Sequence, residues 1–475
     1  MEMTIESQHR HQRRRRSSSL AVFALAYMLF AMPTGAEHVA PNQRMDGLWL
    51  TEGYGRLVEF QGDSLATFEI TALSCVSAGK AIRKTSSGIE GPVYEGEGEE
   101  VHILPAISPD TRWMHIDGSV SSIRIRRMAS RPAVCSQRLA DTPVNNYKVF
   151  WQTFEEQYPF FGLRKVDWLA TDRKFRPEVN DTTGSEELFQ IFRRMIDPLH
   201  DRHTALFATT VHEEFHGYRP SADPFKSRSA ATISKIIETK YVRGGLRDFC
   251  NKQLQFGMLD NSIGYLRIHS FESYSDILTF DKQLSTLESA LDTIFQNSVK
   301  WRALVIDVRI NTGGSDVFGI SIASRLATHE YLAYSKVASN DPNDPTHRTP
   351  AQLVLVRPAR RPGFRGRVVL LTSSDSISAA ETFTMALLDR QPHVTRLGQS
   401  TQGVFSDVLI RKLPNGWRFG LPNEIYLTKA GRAFDGTGVP PEIEVPVFSA
   451  VDLARQRDTA LDRSLDILAD KQPHR

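Results

Sequence analysis

The chain has 475 residues, of which 40% are apolar and 24% are charged, enough to bury an ordinary core and to divide into two or three domains. Its formal charge of +3 equals that of five arginines and two glutamates within the first sixteen residues, so the remainder is close to neutral. Because no basic domain or clustered Lys/Arg face remains, nucleic acid is excluded as the expected partner.

The first 36 residues have the pattern of a secretory signal peptide. Arginines at 10 and 13 to 16 precede the thirteen-residue apolar run Leu20–Met32 and a small-residue site ending at Ala36. A membrane-spanning helix needs about 20 apolar residues, so cleavage after Ala36 is favoured over an uncleaved membrane anchor, which is the alternative. The sequence therefore predicts a secreted or periplasmic protein without a stable membrane span after cleavage.

Residues 44–138 predict a small all-β domain. Short runs with partial alternation, among them Arg56–Phe60 and Leu65–Ile70, are separated by glycine-rich turns. Cys75 and Cys135 flank one segment of this region and could pair in an oxidising compartment, but only geometry decides whether they do. Cys250 stands alone and has the character of a buried structural thiol.

The rest of the chain predicts a helical subdomain followed by an α/β core. Residues 143–205 carry apolar side chains at helical spacing, and these side chains are expected to form core rather than a groove. Over residues 206–448, strand-like runs alternate with helical stretches, which favours an α/β domain, and Asn415-Gly416 marks a hairpin. Residues 449–475 are expected to form a C-terminal helical tail.

One strand-to-helix junction could hold a nucleophile. The strand Arg367–Thr372 runs through a serine-rich connection to Ser378-Ala-Ala-Glu381. Unpaired N–H groups in the first turn of a helix can stabilise the oxyanion that forms when a hydroxyl attacks a carbonyl group. Taken alone, the segment favours a capping box, with Ser376 or Ser378 as the N-cap and Glu381 completing it.

A second element is the run from Ala303 to Gly314, which ends a buried strand with two glycines. Glycine at such a position indicates that the backbone approaches another group closely, and the amides of Gly313 or Gly314 could complete an oxyanion site. A structural turn explains the two glycines equally well when they are considered alone.

Together with Asp435-Gly-Thr-Gly-Val-Pro-Pro-Glu442, these segments resemble the tail-specific (carboxyl-terminal processing) proteases and tricorn-protease cores. The resemblance runs from about residue 147 to 447 and implies a ClpP/crotonase-like catalytic core within an α/β (α+β) multidomain fold. It also implies that Ser378 is the nucleophile, and that the Ala379 amide with that of Gly313 or Gly314 forms the oxyanion hole.

The resemblance leaves the catalytic base as the harder assignment. The processing proteases place a lysine twenty-five residues after the serine, and here that position is Gly403. The tricorn-like branch uses a histidine from the helical subdomain, which makes His203 the expected base, with His200 as a competitor. Asp435 matches a family glutamate that orients the base. Only about sixty residues separate His203 from Gly264, too few for the PDZ domain of many relatives.

A zinc site is the rival chemistry, because His212-Glu-Glu-Phe-His216 satisfies the His-Glu-x-x-His pattern. The nearby Gly217 and Pro220 disfavour the long helix that this motif needs, so no metal and no cofactor are expected. The sequence predicts a serine peptidase that acts on peptides or proteins. The alternative is a catalytically weak or inactive protein of the same fold that binds a ligand or peptide.

Overall fold

We describe the protein from a computed structural model that covers residues 45–85, 91–96, 99–136, 138–220, 230–342, 344 and 346–469. The predicted signal peptide and its cleavage site lie outside these residues. From residue 45 onward the described chain forms one compact unit, with the α/β multidomain architecture that the sequence predicts. The limits assigned to the individual domains from the sequence remain predictions.

The N-terminal region is a closed eight-stranded antiparallel barrel, which confirms the all-β prediction. Strand β1 pairs with both β2 and β8, so the sheet has no free edge. Alternate side chains such as Trp49, Val58 and Ile125 fill the interior. Cys75 and Cys135 form a disulfide, and Cys250 is buried and free. The strands are β1 Gly47–Thr51, β2 Arg56–Gln61, β3 Ser64–Ile70, β4 Cys75–Arg83, β5 Val93–Gly96, β6 Glu99–Pro105, β7 Thr111–Ile116 and β8 Ile123–Met128.

Four helices follow the barrel: α1 Pro143–Gln157, α2 Phe161–Arg164, α3 Trp168–Phe175 and α4 Ser185–Ile196. The first begins where Thr142 accepts a hydrogen bond from the Asn145 amide at 3.2 Å, with a proline in its first turn. Its apolar face packs Phe150 against Phe192, with ring centroids 4.2 Å apart and stacked. These aromatic side chains are core, as the sequence predicts.

The α/β region contains sixteen further strands among the described residues. They are β9 Ala205–Ala208, β10 Glu213–His216, β11 Arg243–Phe249, β12 Leu254–Met258, β13 Ile263–Ile268, β14 Ala303–Asp307, β15 Ile310–Asn311, β16 Tyr331–Ala338, β17 Gln352–Val356, β18 Arg367–Thr372, β19 Asp375–Ser376, β20 Val394–Gly398, β21 Val408–Lys412, β22 Arg418–Pro422, β23 Glu424–Leu427 and β24 Ile443–Glu444. The hairpin predicted at Asn415-Gly416 joins β21 to β22.

A seven-stranded sheet in the order β11-β12-β13-β14-β18-β20-β24 is the centre of this region, and it is parallel from β13 onward. The helices of this region and of the tail are α5 Ala230–Ile236, α6 Phe280–Phe295, α7 Asp316–Ser324, α8 Ala379–Ala386, α9 Ala450–Ala454 and α10 Thr459–Ala469. Helices α6, α7 and α8 pack on one face of the sheet, and α5 and α10 pack on the other. Because the central strands of this sheet are buried on both faces, their sequences are continuous apolar runs and do not alternate with polar residues.

The helical subdomain and the α/β region share one sheet. Strands β9 and β10 extend the hairpin of β21 and β22 into a four-stranded antiparallel sheet in the order β10-β9-β22-β21. The helical subdomain packs on this sheet, where Phe150 contacts Phe419 at a centroid distance of 4.9 Å. Residues just after the predicted boundary at 205 are therefore fixed directly against the hairpin that follows the nucleophile segment.

A buried ion network fixes the carboxyl end of β14. Arg309 is 0% exposed and binds Asp307 at 2.6 Å and Asp458 at 2.8 Å. Asp458 also accepts the amides of Ala460 and Leu461, so it caps the last helix. Although burial acts to raise it, the pKa of Asp307 is held well below its usual range, chiefly by the charge of Arg309. This network joins the strand that carries the glycine pair to the C-terminal tail.

Replacing Arg309 with methionine is expected to lower the free energy of unfolding by about 3–5 kcal/mol, because two buried carboxylates would lose their cation. Urea denaturation followed by circular dichroism measures this change. Arg357→Met is the matched control, since that guanidinium binds Glu330 with its side chain 70% exposed and should cost less than about 1 kcal/mol. A loss at Arg309 no larger than the loss at Arg357 would contradict the structural role of the network.

No helix in the described ranges is long and apolar enough to cross a membrane.

Candidate active site

Ser378 occupies a sharp turn between a strand and a helix. It follows the short strand β19 and directly precedes α8, with φ 57° and ψ −121°. A positive φ is uncommon for any residue other than glycine and costs on the order of 1–3 kcal/mol, so it persists only where the surroundings enforce it. Ser378 is partly exposed although Ile377 and Ala379 on either side are buried. The turn thus presents a single serine at the surface, the arrangement of a nucleophile elbow.

Three hydrogen bonds hold this turn. The Ile377 amide donates to the Asn311 carbonyl oxygen at 3.1 Å, and the Ser378 amide donates to the Val404 carbonyl oxygen at 3.1 Å. The Ser378 amide also lies 3.2 Å from a carboxylate oxygen of Glu381. The conformation of Ser378 is therefore set by two segments, around 311 and 404, that lie far from it in sequence.

Glu381 does more than the capping role that the sequence assigns to it. It is 0% exposed and also accepts the amides of Gly403 and Val404 at 2.6 and 2.7 Å. Burial raises the pKa of Glu381 to about 7, while these hydrogen bonds act to lower it. One carboxylate thus ties the first turn of the helix to the segment that crosses over Ser378.

The glycine pair lies directly against the serine. A Cβ atom on Gly313 would stand 2.6 Å from the Cβ of Ser378 and 3.1 Å from its Oγ, so only glycine leaves space beside the hydroxyl. The φ angles of 90° and 130° at Gly313 and Gly314 also favour glycine. The close approach predicted from the sequence is therefore an approach to Ser378 itself.

The two glycines differ in their hydrogen bonding. The Gly313 amide donates to Asn311 Oδ1 at 2.9 Å, and is therefore engaged. The hydrogen bonds of the described residues leave the amides of Gly314 and Ala379 without an acceptor in the chain. Of the three predicted oxyanion donors, Gly313 therefore has an engaged amide and Gly314 and Ala379 have open ones, and the oxyanion hole itself stays a prediction.

His203 lies at the start of β9, near the segment that follows Val404. Its backbone amide donates to Asp201 Oδ1 at 3.0 Å, and its imidazole donates to the Ser406 carbonyl oxygen. Burial lowers the pKa of the imidazole, whereas the charges of Asp201 and Asp407 act in the opposite direction. Its Nδ1 atom is buried and has no hydrogen-bond partner in the described chain. The ring is thus held in its neutral form near neutral pH.

His203 and Ser378 contact the same segment but not each other. Ser378 donates to the carbonyl oxygen of Val404, and His203 donates to that of Ser406 two residues later. No hydrogen bond joins the two side chains within the ranges that the structure describes. Hydrogen bonds between catalytic groups are often long before substrate binds. The competitor His200 is exposed, and its ring packs edge-on against Tyr218.

Asp435 lies close enough to Glu381 for the two carboxyl groups to interact electrostatically. It is 7% exposed, and the Phe405 amide donates to it. Burial, followed by the neighbouring charges of Glu381 and Asp201, raises its pKa to about 8. The carboxylates that act most strongly on the His203 imidazole are instead Asp201 and Asp407. An orienting role of Asp435 would therefore have to reach the imidazole through Asp201.

Replacing Asp435 with asparagine is expected to flatten the fall in stability between about pH 4 and pH 8. A carboxyl group with a raised folded-state pKa contributes stability that is complete below its ordinary pKa of 3.8 and is lost as pH rises through about 8. The melting temperature of the wild type should fall about 2–4 °C more than that of Asp435→Asn between pH 5 and 9.5. Thermal melts across this range measure the difference, with the exposed Asp110→Asn as control. Parallel curves for wild type and Asp435→Asn would contradict the pKa.

The structure adds Lys336 of β16, which the sequence did not single out. Its Nζ lies 3.1 Å from Asp407 Oδ2 and 3.0 Å from Glu424 Oε1, and its side chain is 4% exposed. Burial acts to lower its pKa, but these carboxylates hold it well above the usual range. A lysine that stays charged cannot accept the proton of a serine. Lys336 therefore does not replace the lysine that is missing at Gly403.

The His-Glu-x-x-His segment does not form a metal-binding helix. Residues 213–216 form strand β10, paired in register with β9. His212 lies in the turn before this strand, so the two histidines do not stand one helical turn apart as the motif requires. Within the described ranges, Glu100, His102 and Asp117 on the barrel are the group of acidic and histidine side chains whose ligand atoms come within 4.8 Å of one another.

Two family models match this chain. Residues 262–445 match peptidase family S41, and residues 141–197 match the C1 domain of tricorn protease. The first match contains Gly313, Ser378 and Asp435, and the second contains most of the helical subdomain.

Solved structures give the same result. A candidate peptidase from Parabacteroides merdae ATCC 43184 is 25% identical, with a TM-score of 0.56 over 70% of this chain and 98% of that one. Mature CPAF complexed with lactacystin is 12% identical, with a TM-score of 0.50 over 69% of this chain and 97% of that one, and this likeness shows the fold. Residues 262–445 are thus a peptidase domain of family S41, of the tail-specific and tricorn-like kind, and this similarity supports a hydrolase of the peptidase class.

Proposed function

We propose that this protein is a secreted serine peptidase in which Ser378 is the nucleophile and His203 is the general base. The observation that carries the proposal is the positive φ of Ser378, which presents its hydroxyl beside Gly313 and the start of helix α8. Ser378 and Glu381 also form the capping box that the sequence predicts, but capping alone needs no such conformation, because N-cap residues usually have extended backbone angles. A strained backbone conformation at Ser378 is expected if its hydroxyl group must contact a substrate.

The proposed reaction has two stages. Ser378 Oγ attacks the carbonyl carbon of the scissile peptide bond while His203 takes the hydroxyl proton, and the amides of Gly314 and Ala379 bind the oxyanion. The C–N bond then breaks as His203 gives its proton to the leaving amine. Water, deprotonated by the same imidazole, hydrolyses the acyl-enzyme, releases the acid and restores Ser378.

A neutral imidazole supports this assignment. Because burial lowers the pKa of His203, the ring is unprotonated at neutral pH and can accept the proton. Asp201 and Asp407 then stabilise the imidazolium that forms. Lys336 is held in its charged form and is not available for this step.

Secretion is proposed from two observations. Residues 1–36 have the signal-peptide pattern, and the Cys75–Cys135 disulfide is typical of proteins that fold in an oxidising compartment. N-terminal sequencing of the protein recovered outside the cytoplasm should start at Glu37. A mature chain that still begins at Met1 would count against a cleaved leader.

The direct test of the serine assignment is covalent labelling by a fluorophosphonate, which reacts with activated serines. Mass spectrometry of the labelled wild type should place one adduct on the peptide that contains Ser378. Ser378→Ala should take up no label, and Ser374→Ala, four residues earlier in the same connection, should label normally. Failure of the folded wild type to label would favour a protein that binds ligands or peptides without hydrolysing them.

A further inference from the structure

A cavity of about 360 Å³ lies between the barrel and the peptidase core. Its barrel wall includes Arg56, Glu99 and residues 116–121, and its core wall includes Ser315, Asp316, Asp407 and Asn423. The two walls are joined where Ser315 Oγ donates to the Gly118 carbonyl oxygen at 3.0 Å. The barrel therefore completes a space that the peptidase core alone would leave open.

This cavity adjoins the Ser378 turn on two sides. Ser315 and Asp316 directly follow the glycine pair, and Asp316 Oδ1 accepts the hydroxyl of Thr382, one helical turn after Ser378, at 2.6 Å. Asp407 lies three residues after Val404, the acceptor of the Ser378 amide. The lining of the cavity therefore begins at the residue that follows Gly314, and one of its side chains bonds to helix α8 just after Ser378.

The walls carry an excess of negative charge. The carboxylates of Glu99, Asp117, Asp316, Asp407 and Glu424 line the cavity together with two cations, Arg56 and Lys336. The Lys336 ammonium is already bound between Asp407 and Glu424. Burial, followed by the charge of Asp407, raises the pKa of Asp316 to about 7, so Asp316 is partly protonated at neutral pH and the other carboxylates of the wall carry most of the negative charge.

A buried amide in the same wall also has no partner. Asn423 is 2% exposed and lines the cavity, and its Nδ2 atom makes no hydrogen bond within the described chain. A buried donor without an acceptor costs free energy, and a carbonyl oxygen of a bound peptide would satisfy it. The cavity thus offers a donor for peptide backbone beside carboxylates for a cation.

We propose that this cavity is a specificity pocket that receives a lysine or arginine side chain of the peptide substrate next to the scissile bond. The inference rests on the proposed peptidase function and gives the barrel a part in substrate recognition. An anionic side chain would meet the carboxylates of these walls, while the one buried ammonium is already paired. A neutral apolar side chain would leave the excess charge of the pocket uncompensated.

The test compares peptide pairs that differ only in charge. Internally quenched peptides that carry lysine or arginine at successive positions around the cleaved bond are matched with norleucine or citrulline at the same position. The wild type should cleave the cationic member at least about tenfold faster in kcat/KM at one fixed position. This preference should shrink as salt is raised from 50 to 500 mM.

Variants on the barrel wall locate the preference. Glu99→Gln with Asp117→Asn should reduce the ratio between cationic and neutral peptides about 3- to 10-fold, chiefly by lowering kcat/KM for the cationic member. Asp110→Asn is the matched control, because it removes one charge from the barrel outside this cavity and should leave the ratio unchanged. An unchanged ratio in the double variant would overturn the proposal.

A binding measurement tests the specificity pocket independently of the proposed hydrolysis. Fluorescence anisotropy of fluorescein-labelled lysine and norleucine peptides on Ser378→Ala measures the same preference without turnover. Equal affinities would overturn the pocket even if the wild type cleaves peptides. A lysine preference of about tenfold in Kd that the double variant removes would support the pocket even if the wild type fails to label with fluorophosphonate.

Discussion

Ser378→Ala is expected to lower kcat for peptide hydrolysis by about 10⁴- to 10⁶-fold, the loss typical of removing a serine nucleophile. Loss of the hydroxyl removes the covalent route, whereas binding and the oxyanion amides remain and leave some residual catalysis. Hydrolysis of an internally quenched peptide pool measures the loss. Circular dichroism should show an unchanged fold, because the backbone bonds of this turn involve main-chain atoms and Glu381.

The control for this variant is Ser374→Ala, in the same connection. The carbonyl oxygen of Ser374 accepts Gln402 Nε2 at 3.0 Å, and the substitution keeps that bond. Ser376 is not a rival nucleophile, because it is 0% exposed and its hydroxyl donates to the Val308 carbonyl oxygen at 2.8 Å. If Ser378→Ala kept more than a tenth of wild-type kcat, the nucleophile would lie elsewhere.

His203→Ala is expected to give the second largest loss, about 10²- to 10⁴-fold in kcat/KM, the usual contribution of a general base. The pH profile gives a sharper test than the magnitude. A base works in its neutral form, and burial lowers the pKa of this imidazole below its ordinary value of 6.5. Wild-type kcat/KM should therefore persist below pH 6.5 before it falls in acid. The fall should follow a single protonation.

Two further variants decide whether that fall belongs to His203. The acid fall should be absent from the residual activity of His203→Ala, while the exposed His200→Ala should keep it and stay within about threefold of wild type. The double variant Ser378→Ala/His203→Ala should be no worse than Ser378→Ala alone, because the base has no role without the nucleophile. An acid fall that survives in His203→Ala would assign it to another group, and Asp407 is the first to examine.

The segment that follows β14 was only partly interpretable from the sequence. The two glycines indicate a close approach of the backbone, and the structure confirms one, with Ser378 as the partner at Gly313. The sequence does not reveal that Asp307 and Arg309 are structural through Asp458, about 150 residues away. It also does not separate the engaged amide of Gly313 from that of Gly314, because the distinction depends on where the side chain of Asn311 points.

The surroundings of His203, the expected base, could not be predicted because they come from segments far away in the sequence. His203 was identified through a short segment that resembles the tricorn-like branch, but its neighbours Ser406 and Asp407 come from the other end of the chain. Lys336 has no sequence signal, because a lysine in an alternating strand is typical of a solvated face. Only the packing of β16 against β23 buries it beside Glu424.

The amino-acid sequence by itself determined the succession of a small β domain, helices and an α/β core, the strand-to-helix turn at Ser378 and the glycine pair. Each of these depends on local backbone preferences and on apolar periodicity, which act over a few residues. The tertiary structure decided the positive φ of Ser378, the proton affinities of His203, Glu381 and Asp435, and the acidic cavity beneath the barrel. Those properties arise from burial and from charges on segments up to about 370 residues apart, such as Tyr54 and Glu424, which only the folded chain brings together.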